Sequence, residues 1–137
     1  MDCIFCKIIN NEYPSRIVYE DAHTAVFMDI AKDVDGHMII TPKKHVTSLF
    51  DCDTETLHHL TDTLKIVSKH CVENCGFEGV NVLHASGAAA DQSVPHFHFH
   101  LIPRKKGDGV DAWPNFEGAK REMEEVFQAL QMKPLDD

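Results

Sequence analysis

The chain has 137 residues, 43% of them hydrophobic, and a net charge of −9 with neutral histidines. This composition is typical of one folded domain, and its acidity disfavours binding to nucleic-acid polymers or anionic membranes. No apolar run approaches the roughly 20 residues that span a bilayer, and the first residues lack the pattern of a secretion signal. We therefore expect a single cytoplasmic domain over residues 1–137 whose five cysteines stay reduced.

The first third of the sequence predicts one short helix or turn and three strands. The apolar stretch Cys3–Ile9 forms the helix or turn, and Pro14 ends it. Acidic or glycine-bearing turns separate the three β-like runs that follow, Arg16–Glu20, Thr24–Asp29 and His37–Thr41.

A long amphipathic helix is predicted over Asp53–Cys75. Asp53 suits the N-cap, and Gly76 suits the C-terminal stop. The apolar residues recur at intervals of three and four, which puts them on one face of the helix: Leu57, Leu60, Leu64, Val67 and Cys71.

Two strands and a second helix complete the prediction. The strands are Gly79–Leu83 and His96–Ile102, joined by the small-residue loop Ala85–Ser93. We expect Gly107–Asn115 to be a mobile loop. The tail Glu117–Gln131 has the pattern of an amphipathic helix, and its buried side would carry Met123, Val126, Phe127 and Leu130. These elements predict an α+β fold with an antiparallel five-stranded sheet, in which the order of the strands stays open.

The stretch SVPHFHFHLIPR, residues 93–104, places three histidines at alternate positions. On a strand, His96, His98 and His100 would share one face, and the apolar residues between them would share the other. The outer two imidazoles would then lie about 13 Å apart. Since each nitrogen must come within about 2 Å of a zinc ion, three in a row cannot all bind one metal. A metal could take one or two of them, and the rest could serve a substrate.

This stretch and three others resemble the signature of the histidine triad family of nucleotide hydrolases and transferases. The other three are CIFCKII at the start, VFMDI at Val26–Ile30 and GHMIITPKKH at Gly36–His45, and all four stand in the order usual in that family. The resemblance implies an antiparallel sheet with helices. It also implies a homodimer whose sheets join, and a nucleotide substrate.

The resemblance assigns the chemistry to a small set of residues. His98 would attack the α-phosphate and form a nucleotidyl-histidine, from which water releases a nucleoside monophosphate. His100 and His37 would line the phosphate site, Ser93 would lie near the leaving group, and Gln92 would lie near the phosphates. The acceptor that would orient His98 is not visible in the sequence.

The resemblance also implies the contacts to the nucleoside. Asp29 would hold the ribose hydroxyls. The base pocket would be formed by apolar residues that could equally be plain core: Ile4, Phe5, Ile8, Phe27 and Ile30. Trp113 is either a specificity residue or an anchor before the last helix. Two departures from the family pattern, Ala85 and Asp91, leave the reaction class intact and put the substrate preference in doubt.

The pair Cys3 and Cys6 has metal-ligand spacing, and a redox pair or two buried thiols are the alternatives. Relatives with this pair bind zinc together with two histidines, which here are His45 and His96. The resemblance thus implies a structural Cys2His2 zinc site and leaves His98 and His100 for the substrate.

Three classes of function compete. The favoured one is an enzyme acting on nucleoside phosphoramidates, aminoacyl adenylates or dinucleoside polyphosphates, with Ser93 favouring phosphoramidates. A metal-dependent hydrolase or oxygenase would need a carboxylate shortly after the His-x-His pair, where Leu101, Ile102 and Pro103 stand. A nucleotide-binding regulatory or scaffold protein with incidental catalysis is the third class.

Overall fold

The structure, a computed structural model, describes residues 3–135. Its helices are α1 (Ile4–Ile9), α2 (Thr54–Asn74) and α3 (Met123–Leu130), and a short 3₁₀ turn covers Ala88–Ala90. Its strands are β1 (Ile17–Glu20), β2 (Thr24–Met28), β3 (Met38–Pro42), β4 (Gly79–Leu83) and β5 (Phe99–Arg104). Among the described residues, no helix is long and apolar enough to cross a bilayer.

The five strands form one antiparallel sheet in the order β1-β2-β3-β5-β4. The predicted α+β class with a five-stranded antiparallel sheet is therefore confirmed. The last strand of the chain lies between β3 and β4, so the histidine segment reaches the middle of the sheet.

The cap of α2 explains why this helix begins where the sequence predicts. One Asp53 carboxylate oxygen accepts from the backbone N–H of Thr56 at 3.0 Å, and the other accepts from the Thr56 hydroxyl at 2.8 Å. Gly76 follows the last turn with a φ of +78°, a conformation that favours glycine. The predicted face is buried at Leu60, Val67 and Cys71.

Helices cover both faces of the sheet, because neighbouring strand residues point to opposite sides. On the α2 side, Val26 and Ile40 pack with Leu60 and Phe97 in the main core. On the other side, their strand neighbours pack against α1 in a second core formed by Cys3, Phe5, Ile8, Phe27 and Ile39. Burying a side chain such as Leu60 contributes roughly 1.5–3 kcal/mol. The α1 face carries the candidate site.

The prediction of a strand from His96 is wrong, since β5 begins at Phe99. The pairing of Ile40 with Phe99 would bring Phe97 opposite Pro42, which has no N–H to donate. Instead, Phe97 donates its N–H to the carbonyl of Val46 at 2.8 Å. The first two histidines of the triad therefore lie in irregular backbone at the end of the ladder.

The prediction of a buried side on the C-terminal helix is also wrong. The helix covers Met123–Leu130 and not Glu117–Gln131, and Met123 and Leu130 are 86% and 72% exposed. Phe127 is exposed as well. Amphipathic spacing indicates that a face favours burial, but α1 and α2 already cover the two faces of the sheet.

Candidate functional site

A cavity of about 250 Å³ opens on the α1 side of the sheet. The five residues predicted to form the base pocket all line it: Ile4, Phe5, Ile8, Phe27 and Ile30. Ile30 is 87% exposed and therefore stands at the rim. Polar residues line the same cavity, among them Asp29, Ser93, His98 and His100. The cavity thus combines an apolar wall with a set of groups that can bind phosphate and sugar.

His98 lies at this cavity with its protonation pattern fixed by the backbone. It is only 5% exposed, and its Nδ1–H donates to the carbonyl of His96 at 2.8 Å. A neutral imidazole carries one N–H, so the lone pair is on Nε2. Burial lowers the pKa of His98, which favours this neutral form. The Phe5 ring packs edge to face against the imidazole, with ring centroids 5.0 Å apart, and helps to exclude water.

His100 is connected to His37, which stands directly before β3. The two rings are joined by a 2.9 Å contact between His37 Nε2 and His100 Nδ1. Their proximity follows from the pairing of β3 with β5, in which Ile39 lies opposite His100. Burial, together with the charges of His98 and His37, lowers the pKa of His100 to about 4, so this ring is neutral at pH 7.

Asp33 extends the pair of rings and was missed by the sequence reasoning. Its Oδ1 accepts from His37 Nδ1 at 2.9 Å, and this hydrogen bond lowers the pKa of the Asp33 carboxyl. The contact makes a chain Asp33–His37–His100. The spacing of four residues between Asp33 and His37 was the available signal, although it is common in loops without such a contact.

Asp29 directly follows β2 and also approaches His37. Its Oδ1 accepts from the Ala31 N–H at 2.7 Å, and its Oδ2 lies 3.6 Å from His37 Nε2. The first oxygen holds the turn after β2. The second is available both to His37 and to a group entering the cavity.

The two predicted polar residues of the loop before the triad differ in position. Ser93 lines the cavity. Gln92 does not, because its amide is bonded to the backbone: Oε1 accepts from Gly87 N–H at 2.9 Å, and Nε2 donates to the carbonyls of Thr47 at 2.7 Å and Val94 at 2.9 Å. Gln92 therefore shapes the loop that presents Ser93.

Asp91 has a left-handed backbone, with φ of 62° and ψ of 37°. Asparagine, aspartate and especially glycine tolerate this conformation. Asp91 is exposed and is not part of the cavity lining, so its carboxylate is not placed against a phosphate there. Trp113, 69% exposed, lies outside the lining as well.

His84 is a second residue that the sequence reasoning missed. It follows β4, donates from Nδ1 to the carbonyl of His98 at 2.9 Å, and stacks on Phe97 with ring centroids 4.7 Å apart. Its Nε2 accepts from the hydroxyl of Ser86. The backbone of His98 is thereby connected to the neighbouring strand.

The four predicted zinc ligands lie together at the end of the sheet: Cys3, Cys6, His45 and His96. Tetrahedral zinc sets ligand separations of roughly 3.5 Å from sulfur to nitrogen and about 3.3 Å between nitrogens. The Nδ1 of His96 lies 3.4 Å and 3.5 Å from the sulfurs of Cys3 and Cys6, and 3.1 Å from the Nδ1 of His45. The donor types and spacings fit a zinc ion.

A hydrogen bond made by the other ring nitrogen of His96 also supports a zinc site. His96 Nε2 donates to the carbonyl of Pro42 at 2.8 Å, which leaves Nδ1 as the nitrogen that can bind a metal. His96 is fully buried, so its ring could not serve a substrate in the cavity as well. Burial raises the pKa of the Cys6 thiol to about 11, so binding of a metal to its thiolate would displace a proton.

Comparisons with known proteins agree with this geometry. The family model described as HIT domain matches residues 10–107. An uncharacterized HIT-like protein of Methanocaldococcus jannaschii is 43% identical over 108 residues, which are 78% of this chain and 82% of the relative. The adenosine 5′-monophosphoramidase of Schizosaccharomyces pombe is 33% identical over 136 residues, which are 97% and 98% of the two chains.

Among solved structures, a zinc-bound histidine triad family protein from Mycobacterium smegmatis superposes with a TM-score of 0.77. It is 30% identical, and the match covers 84% of each chain. The family match spans more than half of the sequence, and the aligned relatives are covered over most of their length. The chain therefore belongs to the HIT domain family.

Proposed function

We propose that this chain is a nucleotide hydrolase or transferase that attacks the α-phosphate of purine nucleotides with His98. The observation that carries the proposal is the 2.8 Å hydrogen bond from His98 Nδ1 to the carbonyl of His96. It occupies the only N–H of the neutral ring and leaves Nε2 free to attack. The neutral ring is the nucleophilic form, and the lowered pKa of His98 keeps it neutral at pH 7.

The reaction would run in two steps. The Nε2 lone pair of His98 forms a bond to the α-phosphorus, and the bond from phosphorus to the leaving group breaks. Water then attacks the same phosphorus, the phosphorus–nitrogen bond breaks, and its electron pair returns to His98. Over the two steps one proton passes from the water to the leaving group, so the products are the protonated leaving group and a nucleoside monophosphate. Ser93 lines the same cavity, so we assign its hydroxyl to the leaving-group side.

The three hydrogen-bonded side chains Asp33, His37 and His100 would stabilise the negative charge of the phosphate. When His37 carries both protons, Nδ1 donates to Asp33 and Nε2 donates to His100 Nδ1. His100 is then left with its proton on Nε2, which makes this nitrogen a donor to a phosphate oxygen. The carboxylates of Asp33 and Asp29 lie 2.9 Å and 3.6 Å from the two ring nitrogens of His37.

The nucleoside would occupy the rest of the cavity. Asp29 Oδ2 is available to accept from ribose hydroxyls, and the apolar wall around Phe5 and Phe27 suits a flat base. The name of the S. pombe relative supports a nucleoside phosphoramidate as the substrate.

We assign a structural role to zinc at the Cys3, Cys6, His45 and His96 cluster. All four protein ligands of a tetrahedral site are present, which closes the site to a catalytic water. The ion would join α1, which forms the wall of the cavity, to the segment that carries His98. Zinc would thus hold the apolar wall in place without touching the substrate.

We further propose a homodimer in which the sheet continues into a second copy. β4 lies at one edge of the sheet, and Val82 in this strand is 42% exposed. An unpaired strand edge can pair with the same edge of another copy. Phe127 and Leu130 on α3 are also exposed, and they offer a further apolar surface that a second copy could cover. Analytical ultracentrifugation tests this; a monomer at micromolar concentration would contradict it.

The decisive experiment uses adenosine and guanosine 5′-phosphoramidates labelled at the phosphorus. Rapid quenching of the wild type should trap label on the protein, and peptide mapping should locate it at His98. His98→Ala should lower kcat/KM by at least about 1,000-fold, because the covalent route is lost. The same variant should still bind the nucleoside monophosphate in calorimetry.

His70→Ala is a matched control, because this exposed helix histidine is not among the residues that line the cavity and is hydrogen-bonded to Asn74. It should retain wild-type turnover. Unchanged turnover in His98→Ala would overturn the assignment of the nucleophile. Nucleotide binding without turnover in the wild type would favour the regulatory or scaffold function.

A further inference from the structure

A second set of metal-ligating atoms lies on the other side of His98 from the Cys/His cluster. Asp29, His37 and His100 each offer one ligand atom, and these atoms lie within 4.8 Å of one another. His37 Nε2 lies 2.9 Å from His100 Nδ1 and 3.6 Å from Asp29 Oδ2. A tetrahedral ion with bonds of about 2 Å would hold such atoms roughly 3.3 Å apart, so small side-chain shifts would accommodate it.

The donor set defines the kind of ion. Two imidazole nitrogens and one carboxylate oxygen suit zinc and its first-row neighbours, and they bind calcium or magnesium poorly. Three protein ligands leave a fourth position open, in contrast to the four ligands of the Cys/His cluster. With one ligand fewer and no thiolate, this second set should bind its ion more weakly and exchange it.

Asp33 provides an independent observation that points to a metal. Its carboxylate accepts from His37 Nδ1 at 2.9 Å. A carboxylate on the outer nitrogen of a histidine is the usual support of a metal-binding imidazole, because it fixes the tautomer that aims the lone pair of Nε2 at the ion. In the neutral ring that lone pair is on His37 Nε2, the nitrogen that faces Asp29 and His100, and a metal bound there would replace the proton that Nε2 carries in the doubly protonated ring.

We propose that Asp29, His37 and His100 form an exchangeable site for zinc or a similar first-row divalent ion, and that an ion bound there blocks the nucleotide. Asp29 and His100 line the cavity, so the ion would take the two groups assigned to the ribose and the phosphate. The inhibition rests on the proposed function, whereas the binding does not. The site would make the enzyme responsive to free zinc after the Cys/His cluster has been filled.

Cobalt titration followed by visible absorption separates the two sites. The first equivalent of Co²⁺ should give intense bands that include thiolate-to-metal charge transfer, because two cysteines bind it. The second equivalent should add only weak bands without charge transfer, because its ligands are nitrogen and oxygen. A wild type that binds only one equivalent at millimolar Co²⁺ would overturn the proposal.

Variants of the proposed ligands test whether the second equivalent of Co²⁺ binds at this site. Asp29→Asn and His37→Ala should each lose it and keep the first. Asp33→Asn should weaken it by about 10- to 100-fold, since the outer carboxylate is lost. Asp35→Asn, in the same loop and with the same change of charge, should leave it unchanged. Retention of the second equivalent in both Asp29→Asn and His37→Ala would overturn the assignment.

His37 is buried, so His37→Ala is accepted only when its circular dichroism matches the wild type; Asp29→Asn, which preserves shape, gives an independent answer. Cys3→Ser with Cys6→Ser should lose the first equivalent. Should this variant unfold, wild type preloaded with one equivalent of Zn²⁺ and dialysed gives the second-site titration directly. Binding of no further metal by that preloaded protein would overturn the proposal.

The inhibition is tested on turnover of adenosine 5′-phosphoramidate. Added Zn²⁺ beyond the first equivalent should raise KM with little change in kcat, and a weak chelator should reverse the effect. An active enzyme whose KM does not change in excess Zn²⁺ would contradict the proposal that the bound ion blocks the nucleotide. An inactive wild type that still binds two equivalents would contradict the proposed function and leave the second site standing.

Discussion

His84 donates its Nδ1–H to the backbone carbonyl of His98 over 2.9 Å while its ring stacks on Phe97. The residue after β4 thus holds the backbone of the proposed nucleophile. A buried carbonyl that loses its partner costs about 1–3 kcal/mol, so this contact fixes where the imidazole stands.

We expect His84→Phe to keep the stacking and lose the hydrogen bond. It should lower the free energy of unfolding by about 1–3 kcal/mol and kcat/KM by roughly tenfold, since the position of His98 loosens. His84→Gln retains a donor and should lie close to the wild type. Thermal denaturation and steady-state kinetics measure both. Equal behaviour of the two variants would show that the hydrogen bond has no role.

The pH dependence of kcat/KM should reflect a His98 that stays neutral to unusually low pH. Burial, assisted by the neighbouring His84, lowers the pKa of His98 below the ordinary histidine value of about 6.5. Protonation removes the attacking lone pair, so activity is present above the pKa and lost as the pH falls through it. The acid limb should therefore have its midpoint below about 6.5, once ionisation of the substrate is subtracted. A midpoint at or above pH 6.5 would contradict a lowered pKa of His98.

Removal of zinc should destabilise the fold and take up protons. Ligand bound only to the folded state stabilises by about 4 kcal/mol when its free concentration is 1,000 times Kd. For a chain of this size the loss lowers Tm by on the order of 10 °C. Calorimetry with and without a strong chelator measures the shift.

The proton count is an independent check on the same site. The pKa of Cys6 is raised to about 11 by burial, so its thiol is protonated without metal and must lose its proton when zinc binds. A pH indicator in weak buffer should record proton release on zinc addition to the metal-free protein. Cys6→Ser should release fewer protons; an unchanged release would contradict the ligand assignment.

Gly36→Ala should destabilise the protein and disturb His37, the next residue. Gly36 has a φ of +88°, and a Cβ there would lie 2.6 Å from Pro103 Cγ. The left-handed backbone costs about 1–2 kcal/mol, and the steric conflict adds to it. We expect a total loss of about 2–4 kcal/mol in urea denaturation.

Gly76→Ala isolates the backbone cost. Gly76 has a similar φ of +78°, but within residues 3–135 a Cβ there meets no atom closer than 4 Å. It should lose only about 1–2 kcal/mol, the cost of the left-handed backbone alone. Equal losses at the two positions would show that the contact with Pro103 relaxes.

The sequence determined the elements whose signals are local. Periodicity and the Asp53 cap predicted α2 to within one residue at each end, and β4 has the predicted bounds Gly79–Leu83. The family resemblance indicated the residues that come together around the cavity and the Cys/His cluster. Each of these signals depends on residue types at short, fixed spacings, which a sequence displays directly.

Tertiary structure decided what depends on partners far along the chain. The start of β5 was set by Pro42, some fifty residues earlier, which removes one N–H from the ladder. The exposure of α3 followed from the sheet already being covered on both faces, a fact that amphipathic spacing does not contain.

The same limit applied within the site. His84 gained its role from a contact to His98 that only the pairing of β4 with β5 creates, and Asp33 gained its role because the pairing of β3 with β5 places His37 beside His100. Helix periods, caps and strand alternation are properties of neighbouring residues and can be deduced from the sequence. Strand order and hydrogen-bond partners between distant residues depend on how the whole chain buries its apolar surface, so only the folded molecule defines them.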